Sequence, residues 1–283
     1  MKFAICNETY QNQTFEEACA GAKRHGYDGI ELAPFTLGKL VTEIVPRDRE
    51  RLRKAAENAG LEIIGLHWLM VVPPGVEKTF HINCADAKIR QETADYYKEL
   101  IRFCADLNGK VMVHGSPKQR DWDPAEYYQD TFKRTVDFFQ SCMETAEECG
   151  VTICFEPLSH AETNFMNTAR DTVELIKAVN HPNFQLHLDV KAMCGAEYEE
   201  PAAIIRKYRD YLRHFHANDR NRRGPGTGDV DYIPIERALK EINYEGYVSV
   251  EVFDYTPDAD TIAHESIEFL KHIFSPSQSI SGV

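Results

Sequence analysis

The chain lacks several features that would place it in other classes. No run of about 18 apolar residues occurs anywhere in its 283 residues, which argues against a membrane-spanning helix. None of the eight cysteines (6, 19, 84, 104, 142, 149, 154 and 194) forms a C-x-x-C pair. Several lie in apolar segments such as V-T-I-C-F-E, where Cys acts as a small hydrophobe, so a reducing cytoplasm fits better than a disulfide framework. Basic residues are in deficit, 32 against 45 acidic, and the net charge of −13 would repel a phosphate backbone, so nucleic acid is not an expected partner. No Gly-rich dinucleotide fingerprint follows the first strand candidate, and Arg220, Arg222 and Arg223 precede Gly-Pro-Gly without the Gly-Lys-Ser/Thr ending of a phosphate loop. The N-terminus M-K-F-A-I-C-N-E-T-Y carries one early Lys and no apolar run, so a soluble, unexported protein is the expectation.

What is present is alternation. Short apolar runs recur between amphipathic stretches at intervals of roughly 30 residues, the pattern of βα units. Eight strand candidates can be counted, at 3–6, 27–32, 61–67, 110–114, 151–156, 184–189, 211–217 and 246–252. The segments between them are helical in period, and Gly26, Gly60, Gly109 and Gly150 stand where left-handed caps would end helices. Eight units predict an α/β fold closed into a single-domain (β/α)8 TIM barrel over residues 1–274, with the small polar residues 275–283 as a flexible C-terminal tail. The long stretch 67–86, which holds Trp68, Pro73, Pro74 and Gly75, reads equally as a lid over the barrel mouth or as a packed surface loop.

Strand parity then singles out four residues. Side chains alternate along a strand, so Glu156 shares a face with Cys154 and Thr152, Asp189 with His187 and Gln185, His216 with His214, and Glu251 with Ser249. Each lies on the smaller or more polar face and at the C-terminal strand end, where barrel active sites sit. Two Glu, one Asp and one His form a hard donor set, suited to one divalent ion, Mn²⁺ first and Mg²⁺ or Co²⁺ next.

At these residues the sequence resembles the sugar phosphate isomerase/epimerase family, the xylose isomerase-like barrels, and within it is similar to the D-tagatose 3-epimerase group. The specific segments are F-E-P-L (155–158), E-T-N-F-M-N-T (162–168), L-D-V (188–190), H-F-H-A-N-D-R-N-R (214–222), G-P-G-T-G-D (224–229) and S-V-E-V-F (249–253). The resemblance implies that Glu156, Asp189, His216 and Glu251 are metal ligands and that Glu162 and Arg222 contact substrate hydroxyls. Two departures fall among substrate contacts: Ala192 stands where the epimerases carry a His, and Ser159-His160-Ala161 where they carry Asn-Arg-Tyr.

The chemistry implied is proton removal beside the carbonyl of a carbohydrate, with a metal on the oxygen stabilising a cis-enediolate and Glu156 and Glu251 as catalytic bases. Two bases favour epimerisation over aldose–ketose interconversion. Glu162 or His160 would orient them, while His67, Trp68, His114 and Glu31 would line the pocket. A lyase or dehydratase acting on a keto-sugar, inosose or 3-keto glycoside shares the first half-reaction and is the main alternative. A non-catalytic sugar-binding subunit is a further reading. An endonuclease IV-like phosphodiesterase would need imidazoles where this chain has Ala192 and Asp231. No membrane partner is expected, and a homodimer is compatible with the barrel.

Overall fold

The computed structural model describes residues 1–275, so the tail expected over 275–283 lies, beyond Ser275, outside the described residues. Eight parallel strands close into one barrel in sequence order: β1 (Lys2–Cys6), β2 (Gly29–Leu32), β3 (Glu62–Leu66), β4 (Val111–His114), β5 (Thr152–Phe155), β6 (Phe184–Asp189), β7 (Leu212–Ala217) and β8 (Tyr247–Val250). Pairing of β1 with β8 leaves no sheet edge. The surrounding helices are α1 (Phe15–His25), α2 (Pro46–Ala59), α3 (Ala87–Asp106), α4 (Tyr128–Cys149), α5 (Ala169–Val179), α6 (Val190–Ala196), α7 (Pro201–Lys207), α8 (Tyr232–Glu241) and α9 (Ala259–Phe274). Unit six carries two short helices, because Pro201, which cannot donate in a helix interior, opens α7 at its first turn.

Local chemistry sets the helix boundaries. The Thr14 hydroxyl accepts from Glu17 N while the Glu17 carboxylate accepts from Thr14 N, a reciprocal cap that starts α1. Gly26, Gly60 and Gly150 take left-handed φ values of 88°, 74° and 62° and end α1, α2 and α4 as expected. Gly109 does not. At the end of α3 the left-handed residue is Asn108, at φ 65°, and Gly109 is needed for space, since a Cβ there would lie 2.7 Å from Cys104 Sγ.

The expected alternation holds in the barrel wall. Ile153, Phe155, Leu186, Leu188, Phe215, Val248 and Val250 are fully buried in the layer between strands and helices, where each contributes roughly 2 kcal/mol of apolar burial. The barrel interior is instead rich in polar groups, with Glu31, His187, His214, His216 and Ser249 all buried.

Candidate active site and metal centre

The C-terminal strand ends bring together one ligating atom each from Glu156, Asp189, His216 and Glu251, all within 4.8 Å of one another and all buried. Asp189 closes β6 and faces His216 across the β6–β7 ladder. Glu156 and Glu251 each stand one residue beyond their strands, so they enter the space from the β5 and β8 sides of the rim. Gly115, just after β4, makes room: any Cβ there would collide with Glu156 Oε2.

Each of these groups is held from behind. One Asp189 oxygen accepts from Ala192 N at 2.7 Å, and the other from the Asn218 side chain. Trp68 Nε1 donates to Glu251 Oε1 at 2.9 Å, and His216 Nδ1 lies 3.1 Å from Glu251 Oε2. The other ring nitrogen of His216 lies 3.1 Å from Glu31 Oε2, which is also 3.0 Å from His214 Nε2. Arg120, fully buried, donates to the backbone carbonyl of Glu156 at 2.7 Å and stacks over Phe155 at 4.7 Å.

Electrostatics separates the carboxylates. Burial, then the nearby charges of Glu251 and Asp189, push Glu156 well above the usual carboxylate range. Burial and Glu251 also raise Asp189 to about 6. Burial would raise Glu251 and Glu31 too, but His216 for the one, and His214 with His216 for the other, outweigh it and hold both below the ordinary value. Three carboxylates confined in so small a buried space repel one another more than the single imidazole beside them offsets, and a cation is the group that relieves this. The donor set therefore fits a divalent ion.

Above the four residues lies a cleft of about 510 Å³, whose lining includes His67, Trp68, Glu156, Glu162, Arg222 and Glu251. Glu162 accepts from Ser159 Oγ and Lys191 Nζ, each at 2.7 Å. Arg222 holds a left-handed φ of 69°, fixed because its carbonyl accepts from Phe253 N and Asp254 N. His67 contacts Glu8 at 2.7 Å. Stretch 67–86 is anchored at both ends, where Leu69, Met70, Phe80 and Ile82 are buried and Phe80 stacks on Tyr96 at 4.3 Å, while Pro74, Gly75 and Glu77 to Thr79 between them are exposed.

Three residues expected at the pocket do not line it. Glu31 points from β2 into the barrel interior, where it sits behind His216 against His214 and is fully buried. His114 points outward into the helix layer, with its ring 5.1 Å from both Phe139 and Phe155, because it shares strand parity with Met112, while Val113 faces the cleft. His160 is exposed on the loop after β5 and lines neither the cleft nor its neighbour, since the chain turns there to present Ser159 and Glu162. Glu8, Lys191, Arg120 and Asn218 were not singled out from sequence. Lys191 and Asn218 carried a faint signal, each standing two residues after an expected ligand. A cavity of about 360 Å³ at the other end of the barrel, lined by Glu62, Val111 and Tyr247 among others, contains none of the four converging residues.

A parallel barrel with a carboxylate–imidazole cluster at its C-terminal mouth defines a barrel enzyme. A model of the xylose isomerase-like TIM barrel family matches residues 19–273, and the chain belongs to that family. It is 30% identical over 237 residues to a D-psicose 3-epimerase of Ruminiclostridium cellulolyticum, covering 81% of this chain and 74% of that one. The fold matches a crystal structure of D-psicose 3-epimerase in the presence of D-fructose at TM-score 0.84 and 22% identity, covering 98% of this chain and 100% of the other. It also matches the 3-keto-D-glucoside 4-epimerase of E. coli at TM-score 0.82 and 22% identity, covering 96% and 99%. At that identity the two structures speak for the fold alone, whereas the sequence relatives are named epimerases, and this chain is an enzyme of the isomerase/epimerase class. Among the described residues no helix is long and apolar enough to cross a membrane.

Proposed function

We propose that this chain is a divalent-metal-dependent epimerase of a keto-sugar or sugar derivative, with Glu156 and Glu251 as its two bases. The observation that carries the reading is the placement of those two carboxylates on different sides of one buried cluster with Asp189 and His216. Glu156, Asp189, His216 and Glu251 would hold the ion, with Mn²⁺ as first choice and Mg²⁺ or Co²⁺ next. Once bound, a divalent ion supplies a Lewis acid beside the substrate carbonyl and makes the neighbouring C–H more acidic.

Everything else falls to the side chains. One glutamate takes the proton from one face of the carbon and the other delivers a proton to the opposite face, which inverts the centre. Glu31 accepts from one ring nitrogen of His216, so the other, nearer Glu251, is the one that would hold a divalent ion, with the carboxylate fixing the ring from behind. Trp68, donating to Glu251, limits that base to one orientation while its ring walls the cleft, and Glu162 and Arg222 hold substrate hydroxyls. All eight cysteines are free thiols in the structure, in keeping with a cytoplasmic site of action.

The test is incubation of the Mn²⁺-loaded protein with keto-sugars in D₂O. Deuterium appearing at a stereocentre with two epimers formed supports the reading. Loss of water or of an aglycone would replace it with a lyase, and no exchange on any keto-sugar would end it.

A further inference from the structure

Beside the catalytic cleft lies a second pocket of about 540 Å³, lined by Ser159, Ala161, Glu162, Lys191, Cys194, Gly195, Arg220 and Arg222. Glu162 and Arg222 line both spaces, so the two are contiguous. The room exists because the loop after β5 and the turn of α6 present small side chains there: Ser159, Ala161 and Gly195. Either space alone is within the range of about 300–1,000 Å³ usual for a small-molecule site, so together they offer more than one sugar requires.

The charge of the second pocket is opposite in sign to that of the chain. Three cations, Lys191, Arg220 and Arg222, line it against one carboxylate, in a protein of net charge −13. Lys191 is well buried, with 12% of its side chain exposed, and its ammonium is seated on Glu162 and 3.8 Å from the centre of the Phe253 ring. That pair is neutral and fixes the boundary between the two spaces. Arg222 has no carboxylate within ion-pair distance among the described residues, and its strained backbone is pinned at both ends. Arg220, 53% exposed along its side chain, lies 3.8 Å from Asp229, which is itself 77% exposed and screened by water, and its remaining neighbours are the Cys194 thiol and the charge of Glu200. Two guanidinium groups, one without a carboxylate in ion-pair range and the other paired only with water-screened acids, on the walls of a pocket joined to the reacting centre, are the arrangement that recognises a carboxylate or a phosphate.

We propose that this second pocket is a subsite for an anionic substituent of the substrate, so that the enzyme acts on a keto-sugar bearing a carboxylate or phosphate at the end remote from the reacting carbon. Arg220 holds the anion, Arg222, which lines both spaces and has five donors, serves the hydroxyls on one side and the anion on the other, and Lys191 is a positioning residue that orients Glu162 between the two spaces. This inference rests on the keto-sugar epimerase reading and narrows its substrate class.

The test compares D-fructose, D-fructose 6-phosphate and D-fructuronate, which share one ketose skeleton and differ at the terminal group. Deuterium exchange by the Mn²⁺-loaded enzyme is expected to be about tenfold or more higher in kcat/KM for at least one anionic form than for D-fructose, mainly through KM, and the preferred anion identifies the source as phosphate or carboxylate. Arg220→Gln should lower that ratio at least fivefold, and Lys191→Met should lower it while also raising KM for the neutral ketose. A second readout needs no metal: calorimetric binding of orthophosphate and of D-glucuronate to chelator-treated protein, weakened by Arg220→Gln. Equal or better use of D-fructose, or a ratio unmoved by Arg220→Gln, overturns the subsite while leaving the epimerase reading intact. Exchange with none of the three defeats the epimerase reading instead, and the metal-free titration then decides the subsite: binding weakened by Arg220→Gln upholds it, and no binding overturns it.

Discussion

The floor and the walls of the catalytic cleft are built on different principles. The floor consists of residues on or just beyond strand ends, buried, mutually restrained and spaced by a hydrogen-bonded barrel. The walls come from loops: Trp68 after β3, Glu162 after β5 and Arg222 after β7. A floor fixed by strand geometry suits chemistry that tolerates little displacement, and walls on loops suit a choice of substrate that can change without disturbing the chemistry. On the proposed function, the contrast assigns the reaction type and the choice of substrate to separable parts of one fold.

That contrast can be broken from the floor first. Glu156→Gln and Glu251→Gln should each lower kcat by about a thousandfold, the scale of losing a positioned base, and weaken Mn²⁺ binding as well, measured by exchange kinetics and metal analysis. If either variant kept full turnover, the two-base assignment would fail. Gly115→Ala adds no polar group to the cleft it lines, yet its new methyl must displace the Glu156 carboxylate, and we expect a loss in kcat near a hundredfold with the fold intact by circular dichroism.

Acidity acts on the floor more gradually. Asp189 is raised from 3.8 to about 6, so between those values the folded, metal-free chain holds more protons than the unfolded one. The contribution of Asp189 to metal-free stability therefore falls as pH rises through that window, and a bound cation, which favours the ionised carboxylate, offsets the loss. Because Glu156 is also held well above the usual carboxylate range and must lose its proton too, Mn²⁺ affinity should weaken at least tenfold per unit as pH drops below about 6, which a fluorescence or calorimetric titration would show; a flat profile down to pH 5 would contradict it.

Changes in the walls should cost less. Trp68→Phe removes one hydrogen bond to Glu251 while keeping an aromatic wall, and about a tenfold loss in kcat/KM is expected. His160→Ala, at an exposed position outside both pockets, should change neither kcat by more than about twofold nor stability by more than about 0.5 kcal/mol. A large effect there would put His160 back into the site.

Much of this was legible in the residues themselves. The βα alternation predicted the closed eight-stranded barrel, and period-two parity placed Glu156, Asp189, His216 and Glu251 on one face at one end, because a strand dictates where successive side chains point regardless of what surrounds it. Parity also held the means to exclude His114, whose partner Met112 belongs to the helix-facing set. Other features were decided only by the tertiary structure. Glu8 behind His67, Arg120 on the Glu156 carbonyl and Lys191 on Glu162 meet across 59, 36 and 29 residues of chain. Their partners are fixed by how the loops pack over the rim, where no repeating geometry ties sequence position to direction, so the sequence by itself determined the floor of the site and the packed loops decided its walls.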